Sequence, residues 1–251
     1  MSVEQIPLEM AYGKEVEYAE RANRPKEGAA AGFRNALRIQ ESLTAGLERK
    51  ALIWLAERMP ARVNSDHLTL VGFAAMFLAS GSYVMARWNH AGLLLATVCL
   101  ALNWFGDSLD GTLARVRNRQ RPRYGFYVDH MIDSIGALLI MGGLAASGYL
   151  DERIAMGMLA AFLLLSIETY LATYTIGTFR MSFWKFGPTE IRILLATGNV
   201  ALWLRPDARV PGLGYRLLDF GGMVAIAGMG GMLAIAAAWH TATLYREETR
   251  P

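Results

Sequence analysis

Four aspartates at helical spacing stand at the edges of two long apolar stretches in the middle of the chain: Asp107, Asp110, Asp129 and Asp133. Residues three or four positions apart share one face of an α-helix, so the first pair lines one stripe and the second pair lines another. Carboxylates at membrane depth are energetically expensive and by default mark a functional site. The spacing therefore predicts that two helices meet at one membrane face and present four carboxylates there.

These carboxylates are arranged as a site for cations. Four facing carboxylates would repel one another and partly take up protons unless cations lay between them. Oxygen ligands suit hard cations such as Mg²⁺, Mn²⁺ or Ca²⁺, and two such ions about 4 Å apart serve in phosphoryl chemistry. Small residues beside the acids, Gly111, Ala114 and Gly125, leave room for a ligand and let helix backbones approach closely.

The complete pattern from the first to the fourth aspartate reads D-x2-D-G-x2-A-R-x9-G-x3-D-x3-D and resembles the signature of the CDP-alcohol phosphotransferase family. Every fixed position of that signature is present. The resemblance implies that the four aspartates hold two divalent cations, Mg²⁺ or Mn²⁺, against the pyrophosphate of a CDP-linked donor. It implies that Gly111, Ala114 and Arg115 cradle the CDP, and we expect Gly125 and Asn64 to belong to the same substrate-binding set.

A second interpretation is that the aspartates are merely solvated residues at helix ends. Solvation would not select glycine, alanine and arginine at the remaining positions of the pattern, so we prefer the site interpretation.

The composition indicates an all-α integral membrane protein. The chain is 53% hydrophobic with a mean hydropathy of +0.24. Its single cysteine, Cys99, excludes an intrachain disulfide and a cysteine metal site. We predict a domain at 61–246 with six spans, each near the ~20 apolar residues that cross a bilayer. The spans are expected at about 67–86, 90–115, 126–149, 153–178, 188–204 and 217–244.

The segments outside the spans are polar. Residues 1–32 are mixed in charge and predict a polar arm without a secretory signal. Residues 33–60 combine apolar residues at helical spacing with arginine and lysine, which predicts an amphipathic helix in the membrane interface. A helix packed on the cytosolic face is the alternative. Residues 247–251 form a short tail.

Arginines in the loops predict the orientation. The link between the second and third spans carries five of them: Arg115, Arg117, Arg119, Arg121 and Arg123. The positive-inside rule then places both termini and the aspartates in the cytoplasm, where a water-soluble nucleotide would be found. These arginines could bind nucleotide phosphate or anionic lipid, or serve only as a topology anchor; we assign a substrate role to Arg115 alone. The net charge of +3 is small, and we expect no nucleic-acid partner. The resemblance implies a homodimer.

Further stretches resemble the choline- and ethanolamine-phosphotransferase branch. They are Asp-His-x-x-Asp-Ser at 129–134, Glu-Thr-Tyr at 168–170, Gly-Thr-Phe-Arg at 177–180 and Thr-Glu-Ile-Arg-Ile at 189–193. The resemblance implies that His130 is the general base and that Glu190 orients it or shares the proton. Met131, Ile132 and Glu168 depart from the branch pattern. In other branches the last aspartate is the base, here Asp133.

The sequence thus predicts a phospholipid-synthesising transferase that moves a phosphoalcohol group from a CDP-alcohol to an acceptor hydroxyl and releases CMP. We favour CDP-ethanolamine or CDP-choline with diacylglycerol. The alternative is CDP-diacylglycerol with a polar alcohol such as glycerol phosphate, inositol phosphate or serine, for which Arg180 and Arg192 could bind the acceptor phosphate. A cation or proton transporter would also bury carboxylates, but it would not require the glycine, alanine and arginine positions.

Overall fold

In the computed structural model of the chain, the described residues are 37–39, 45–180 and 188–248. The predicted polar arm at 1–32 lies outside them, as do residues 249–251 of the predicted tail. The described residues form helices and two three-residue strands, labelled in chain order. They are β1 Leu37–Ile39, α1 Ala45–Arg58, α2 Ser65–Ala86, α3 Ala91–Val116, α4 Pro122–Ser147, α5 Glu152–Thr175, β2 Thr178–Arg180, α6 Pro188–Leu204 and α7 Leu217–Glu247.

Five helices, α2, α3, α4, α5 and α7, are long and apolar enough to cross a membrane. The length and composition of these helices therefore agree with the prediction of an α-helical integral membrane protein. The sixth predicted span does form a helix, α6, but it has 17 residues. At 1.5 Å per residue it is about 25 Å long, shorter than the ~30 Å hydrocarbon core of a bilayer. The structure thus supports five spans by length and composition and does not confirm the sixth.

The predicted helix at 33–60 is wrong in its extent, because its described part begins as a strand. β1 pairs in parallel with β2, with Leu37 opposite Thr178. This pairing gives residues 37–39 backbone partners outside a helix. The helix α1 begins only at Ala45, and its Leu52 and Ala56 are buried against α2 and α3. Its Ile53 and Trp54 stay exposed.

The helices α2 and α3 pack in close backbone contact. A Cβ atom on Gly106 would lie 2.5 Å from the backbone nitrogen of Gly72, and one on Gly92 would lie 2.5 Å from the carbonyl oxygen of Ser82. Only glycine permits backbones to approach this closely. The helix pair is therefore in close contact at both ends, and one of these contacts directly precedes Asp107.

Side-chain hydrogen bonds hold the link between α1 and α2 against the end of α3. The side chain of Asn64 caps α2 by accepting a hydrogen bond from the backbone N–H of His67 (3.0 Å). Arg117, just past the end of α3, donates to the carbonyl oxygens of Met59 (2.8 Å), Pro60 (3.0 Å) and Val63. The link between α1 and α2 is thereby fixed beside the last turn of α3.

Candidate active site

The structure brings the four aspartates together at one end of α3 and α4. Asp107 and Asp110 lie in the last three turns of α3, and Asp129 and Asp133 lie in the third and fourth turns of α4. Asp133 interacts electrostatically with the other three carboxylates and with Arg192, and Asp110 interacts with Asp107 and Asp129. The sequence expectation that two helices present four carboxylates to one another agrees with this arrangement.

The first turns of α2 position Asp110. The hydroxyl of Thr69 donates to its Oδ2 (2.5 Å), and the backbone N–H of Gly111 donates to its Oδ1. The hydroxyl of Ser65 donates to the backbone carbonyl oxygen of Asp110 (2.6 Å). Sequence reasoning did not identify Ser65 and Thr69. The two hydroxyl residues are four positions apart where the first span begins, and this spacing could have indicated that they share one face of the helix.

An arginine from α6 holds Asp107. The Nη2 of Arg192 lies 2.6 Å from the Oδ2 of Asp107, and its Nε donates to the Oδ1 of Asn103 (2.9 Å). The Nδ2 of Asn103 donates in turn to the carbonyl oxygen of Gly72 (3.0 Å). Asn103 is buried. The only signal for it in the sequence was a single amide residue within an apolar stretch. One polar chain therefore links α6, α3 and α2 at the aspartates.

The chemistry of these donors suits hard divalent cations, because all four are carboxylates held on neighbouring helices. Within residues 45–180 and 188–248, no group of three or more His, Cys, Asp and Glu side chains is arranged to hold a metal ion. In this conformation the oxygens of Asp110 accept hydrogen bonds from Thr69 and Gly111, and Arg192 pairs with Asp107. The residue types suit a divalent cation, but in the described conformation the positive charge beside Asp107 is the guanidinium of Arg192.

A cavity of about 450 Å³ lies beside Asp110, between the start of α2 and the end of α3. Two residues of the expected substrate-binding set, Asn64 and Ala114, line it. Gly111 and Arg115 lie on the same turns of α3, and Gly125 lies in the first turn of α4. The remaining lining residues include three arginines, and these make the cavity suitable for an anionic group: Ser65, Asp66, Leu113, Arg117, Arg119, Gln120 and Arg121.

The ring of His130, which directly follows Asp129 and precedes Asp133 by three residues, contacts two aromatic rings. Its centroid is 4.2 Å from that of Phe126 and 4.9 Å from that of Tyr170. Its Nδ1 lies 2.6 Å from the carbonyl oxygen of Phe126, and 3.9 Å from Oδ2 of Asp129. A carbonyl oxygen only accepts hydrogen bonds, so Nδ1 is the donor in this contact. The role of His130 as the general base stays a prediction.

Glu190 lies in the first turn of α6, two residues before Arg192, and is only 7% exposed. One partner of the His130 ring is the carbonyl oxygen of Phe126. The role of Glu190 in orienting His130 thus stays a prediction. The side chain of Arg180 is not described, so the phosphate-binding site expected from Arg180 and Arg192 also stays a prediction.

Comparisons with known proteins identify the family. The sequence model for "CDP-alcohol phosphatidyltransferase" matches residues 63–242. Among similar proteins, the archaetidylinositol phosphate synthase of Pyrococcus horikoshii is 31% identical over 86 residues, which cover 34% of this chain and 43% of that protein. The archaetidylinositol phosphate synthase of Methanothermobacter thermautotrophicus is 32% identical over 85 residues, which cover 34% of this chain and 40% of that protein.

Each of these pairwise matches spans about two fifths of the relative's length. The family match is wider, because it includes the whole aspartate pattern and all five helices that could span a membrane, the last nearly to its end. The resemblance that the aspartate spacing predicted is thereby confirmed, and the chain belongs to the CDP-alcohol phosphatidyltransferase family.

Proposed function

We propose that this protein transfers a phosphatidyl-type group from a CDP-activated lipid to the hydroxyl of a small polar alcohol and releases CMP. The observation that carries the proposal is the convergence of four carboxylates from α3 and α4 between an arginine-lined cavity and Arg192. The relatives support a polar acceptor, since both are named for a product that contains inositol phosphate. They favour the second of the two substrate pairs derived from the sequence.

The donor would bind with its nucleotide end at the cavity lined by Asn64 and Ala114. Arginines along that cavity attract the pyrophosphate, and the small residues Gly111 and Ala114 leave space for it. The carboxylates of Asp107, Asp110, Asp129 and Asp133 would hold two Mg²⁺ or Mn²⁺ ions. When bound, such ions neutralise the phosphates and the departing CMP.

The acceptor hydroxyl loses its proton to a base as its oxygen attacks the phosphorus that carries the lipid. A new phosphorus–oxygen bond forms, the bond from that phosphorus to CMP breaks, and CMP leaves with the electron pair. His130 is the base that the resembled branch implies, and its ring is held by a hydrogen bond from Nδ1 to the carbonyl oxygen of Phe126. Asp133 is the other candidate, since it lies within the same cluster.

Arg192 supports an acceptor that carries a phosphate. An acceptor that approaches Asp107 would meet the guanidinium of Arg192, which is only partly exposed. A guanidinium binds phosphate through two parallel hydrogen bonds, and this interaction is stronger where water is excluded. Glycerol phosphate and inositol phosphate therefore fit this position better than serine does.

The orientation and assembly predicted from the sequence belong to this proposal. We place both termini and the aspartates on the cytoplasmic side, which the arginines between α3 and α4 support. Termini on one side require an even number of crossings, so α6 would have to cross together with the five longer helices. A homodimer is proposed on the family resemblance alone.

The aminoalcohol reaction is the second candidate, and the geometry of His130 favours it. The resembled branch places a histidine at this position, and here its ring contacts Phe126 and Tyr170 and bonds the carbonyl oxygen of Phe126. Its donor would be CDP-ethanolamine or CDP-choline, and its acceptor would be diacylglycerol.

CMP release by the purified protein in detergent with Mg²⁺ or Mn²⁺ tests both candidates. One arm supplies CDP-diacylglycerol with glycerol phosphate, inositol phosphate or serine, and the other supplies CDP-ethanolamine or CDP-choline with diacylglycerol. Asp129→Asn serves as the inactive control in both arms. Release only in the first arm supports the proposed function, and release only in the second replaces it by the aminoalcohol reaction. Metal-independent release, or none in either arm, would refute the proposed chemistry.

A further inference from the structure

Glu48, in the first turn of α1, reaches from this helix to two others through a single oxygen atom. Its Oε1 accepts hydrogen bonds from Nε1 of Trp104 (2.7 Å), the hydroxyl of Ser108 (3.2 Å) and the hydroxyl of Thr189 (3.0 Å). Its Oε2 is buried and has no hydrogen-bond partner among the described residues. Burying a carboxylate oxygen without a hydrogen-bond partner lowers the stability of the folded protein, so its presence calls for an explanation.

The three donors adjoin the residues that hold the site. Trp104 and Ser108 lie on α3, on either side of Asp107, and Thr189 lies on α6, three residues before Arg192. Asp107 and Arg192 form the ion pair that joins these two helices at the aspartates. The hydrogen bonds of Glu48 therefore hold α3 and α6 together within about one helical turn of that ion pair.

We propose that Glu48 is a positioning residue that sets the placement of Arg192 relative to Asp107, and thereby the acceptor side of the site. The kinetic consequences of this role rest on the proposed function. Its structural consequences rest only on the hydrogen bonds of Glu48. Glu48 acts as a hydrogen-bond acceptor for three neutral donors, so its contribution lies in geometry. The donor side is separate, because the cavity beside Asp110 is lined from α2, the end of α3 and the residues that follow it.

Glu48→Ala would leave three donors without their acceptor and loosen α6 from α3. We expect the KM for the acceptor to rise about tenfold or more, since losing one well-placed hydrogen bond already corresponds to several-fold. The KM for the CDP-linked donor is expected to change by less than about twofold, because no donor-side contact is lost. A merely structural role would lower the amount of active protein and leave both KM values unchanged.

Two further variants give the test its controls. Glu48→Gln keeps the accepting oxygen and is expected to stay within about threefold of the wild type in both KM values. Glu57→Ala removes an exposed carboxylate from the same helix and is expected to change neither. The proposal is overturned if Glu48→Ala keeps the wild-type acceptor KM, or if Glu48→Gln is as impaired as Glu48→Ala.

A readout that needs no activity separates this proposal from the proposed function. Hydrogen–deuterium exchange of the purified protein is expected to rise in α1 and in the first turn of α6 in Glu48→Ala, and to stay unchanged in Glu57→Ala. If the wild type releases no CMP from any donor, the proposed function fails and the exchange data alone decide on Glu48. Unchanged exchange in Glu48→Ala would overturn the positioning role whatever the activity.

Discussion

The close backbone contact between Gly106 and Gly72 leads to a quantitative prediction for Gly106→Ala. The added Cβ would lie 2.5 Å from the nitrogen, and 2.7 Å from the Cα, of Gly72 and 2.6 Å from the carbonyl oxygen of Leu68. Ordinary van der Waals contact begins near 3.4 Å, so α2 and α3 must separate locally by about 0.9 Å. All three atoms belong to the backbone, and no side-chain rotation relieves the contact.

The expected cost in stability is small, because two effects oppose each other. Overpacking costs about 1–3 kcal/mol, whereas alanine favours a helix interior over glycine by about 1 kcal/mol. The net loss is therefore about 0–2 kcal/mol. The effect on activity is larger. Gly106 directly precedes Asp107, and α2 supplies Thr69 to Asp110, so a separation near 1 Å misplaces the carboxylates and is expected to lower kcat about 10²-fold.

CMP release and thermal unfolding of the same detergent preparations measure the two effects. Gly81→Ala on α2 is the matched control, because nothing lies within 4 Å of its Cβ position; it is expected to keep full activity. A Gly106→Ala protein with wild-type kcat would refute the argument that this contact sets the spacing of the site. Loss of activity together with complete unfolding would equally contradict the calculated balance of energies.

Three further predictions concern the chemistry. Arg192→Ala is expected to raise the KM for a phosphorylated acceptor at least tenfold and Arg192→Lys by less, since lysine lacks the two-pronged geometry; equal KM values in kinetic assays would exclude Arg192 from the acceptor site. His130→Ala is expected to lower kcat about 10²-fold or more with the donor KM unchanged, and a loss below threefold would assign the base to Asp133. Removal of divalent ions by EDTA is expected to abolish CMP release, and Mg²⁺ or Mn²⁺ to restore it; activity that persists in EDTA would contradict the cation site.

The sequence predicts five of the six expected spans as long apolar helices, because the length of an apolar run reflects the length of the helix that it forms. The first span was expected at 67–86 and α2 comprises Ser65–Ala86. Local helix geometry likewise predicts which aspartates share a face. The strand β1 was missed because its pairing partner, β2, lies about 140 residues further along the chain, and no local pattern reports such a pairing.

The positioning contacts were missed for the same physical reason. Thr69 and Asp110 are 41 residues apart, and Arg192 and Asp107 are 85 residues apart. Such contacts follow from how the helices pack, and hydrophobic periodicity indicates only which face of a helix is apolar. Asn64 shows a related ambiguity: its residue type suits ligand binding and helix capping equally, and the structure shows the capping directly.

The length of α3 bears on the depth that its aspartates would have in a membrane. This helix has 26 residues, about six more than the ~20 that cross the hydrocarbon core. With the core counted from Ala91, its far boundary would fall near residue 110, so Asp110 would lie at that boundary and Asp107 about one helical turn inside it. In the proposed reaction, a lipid donor would then keep its acyl chains in the bilayer while its phosphates meet the aspartates, and the lipid product would diffuse away in the same leaflet.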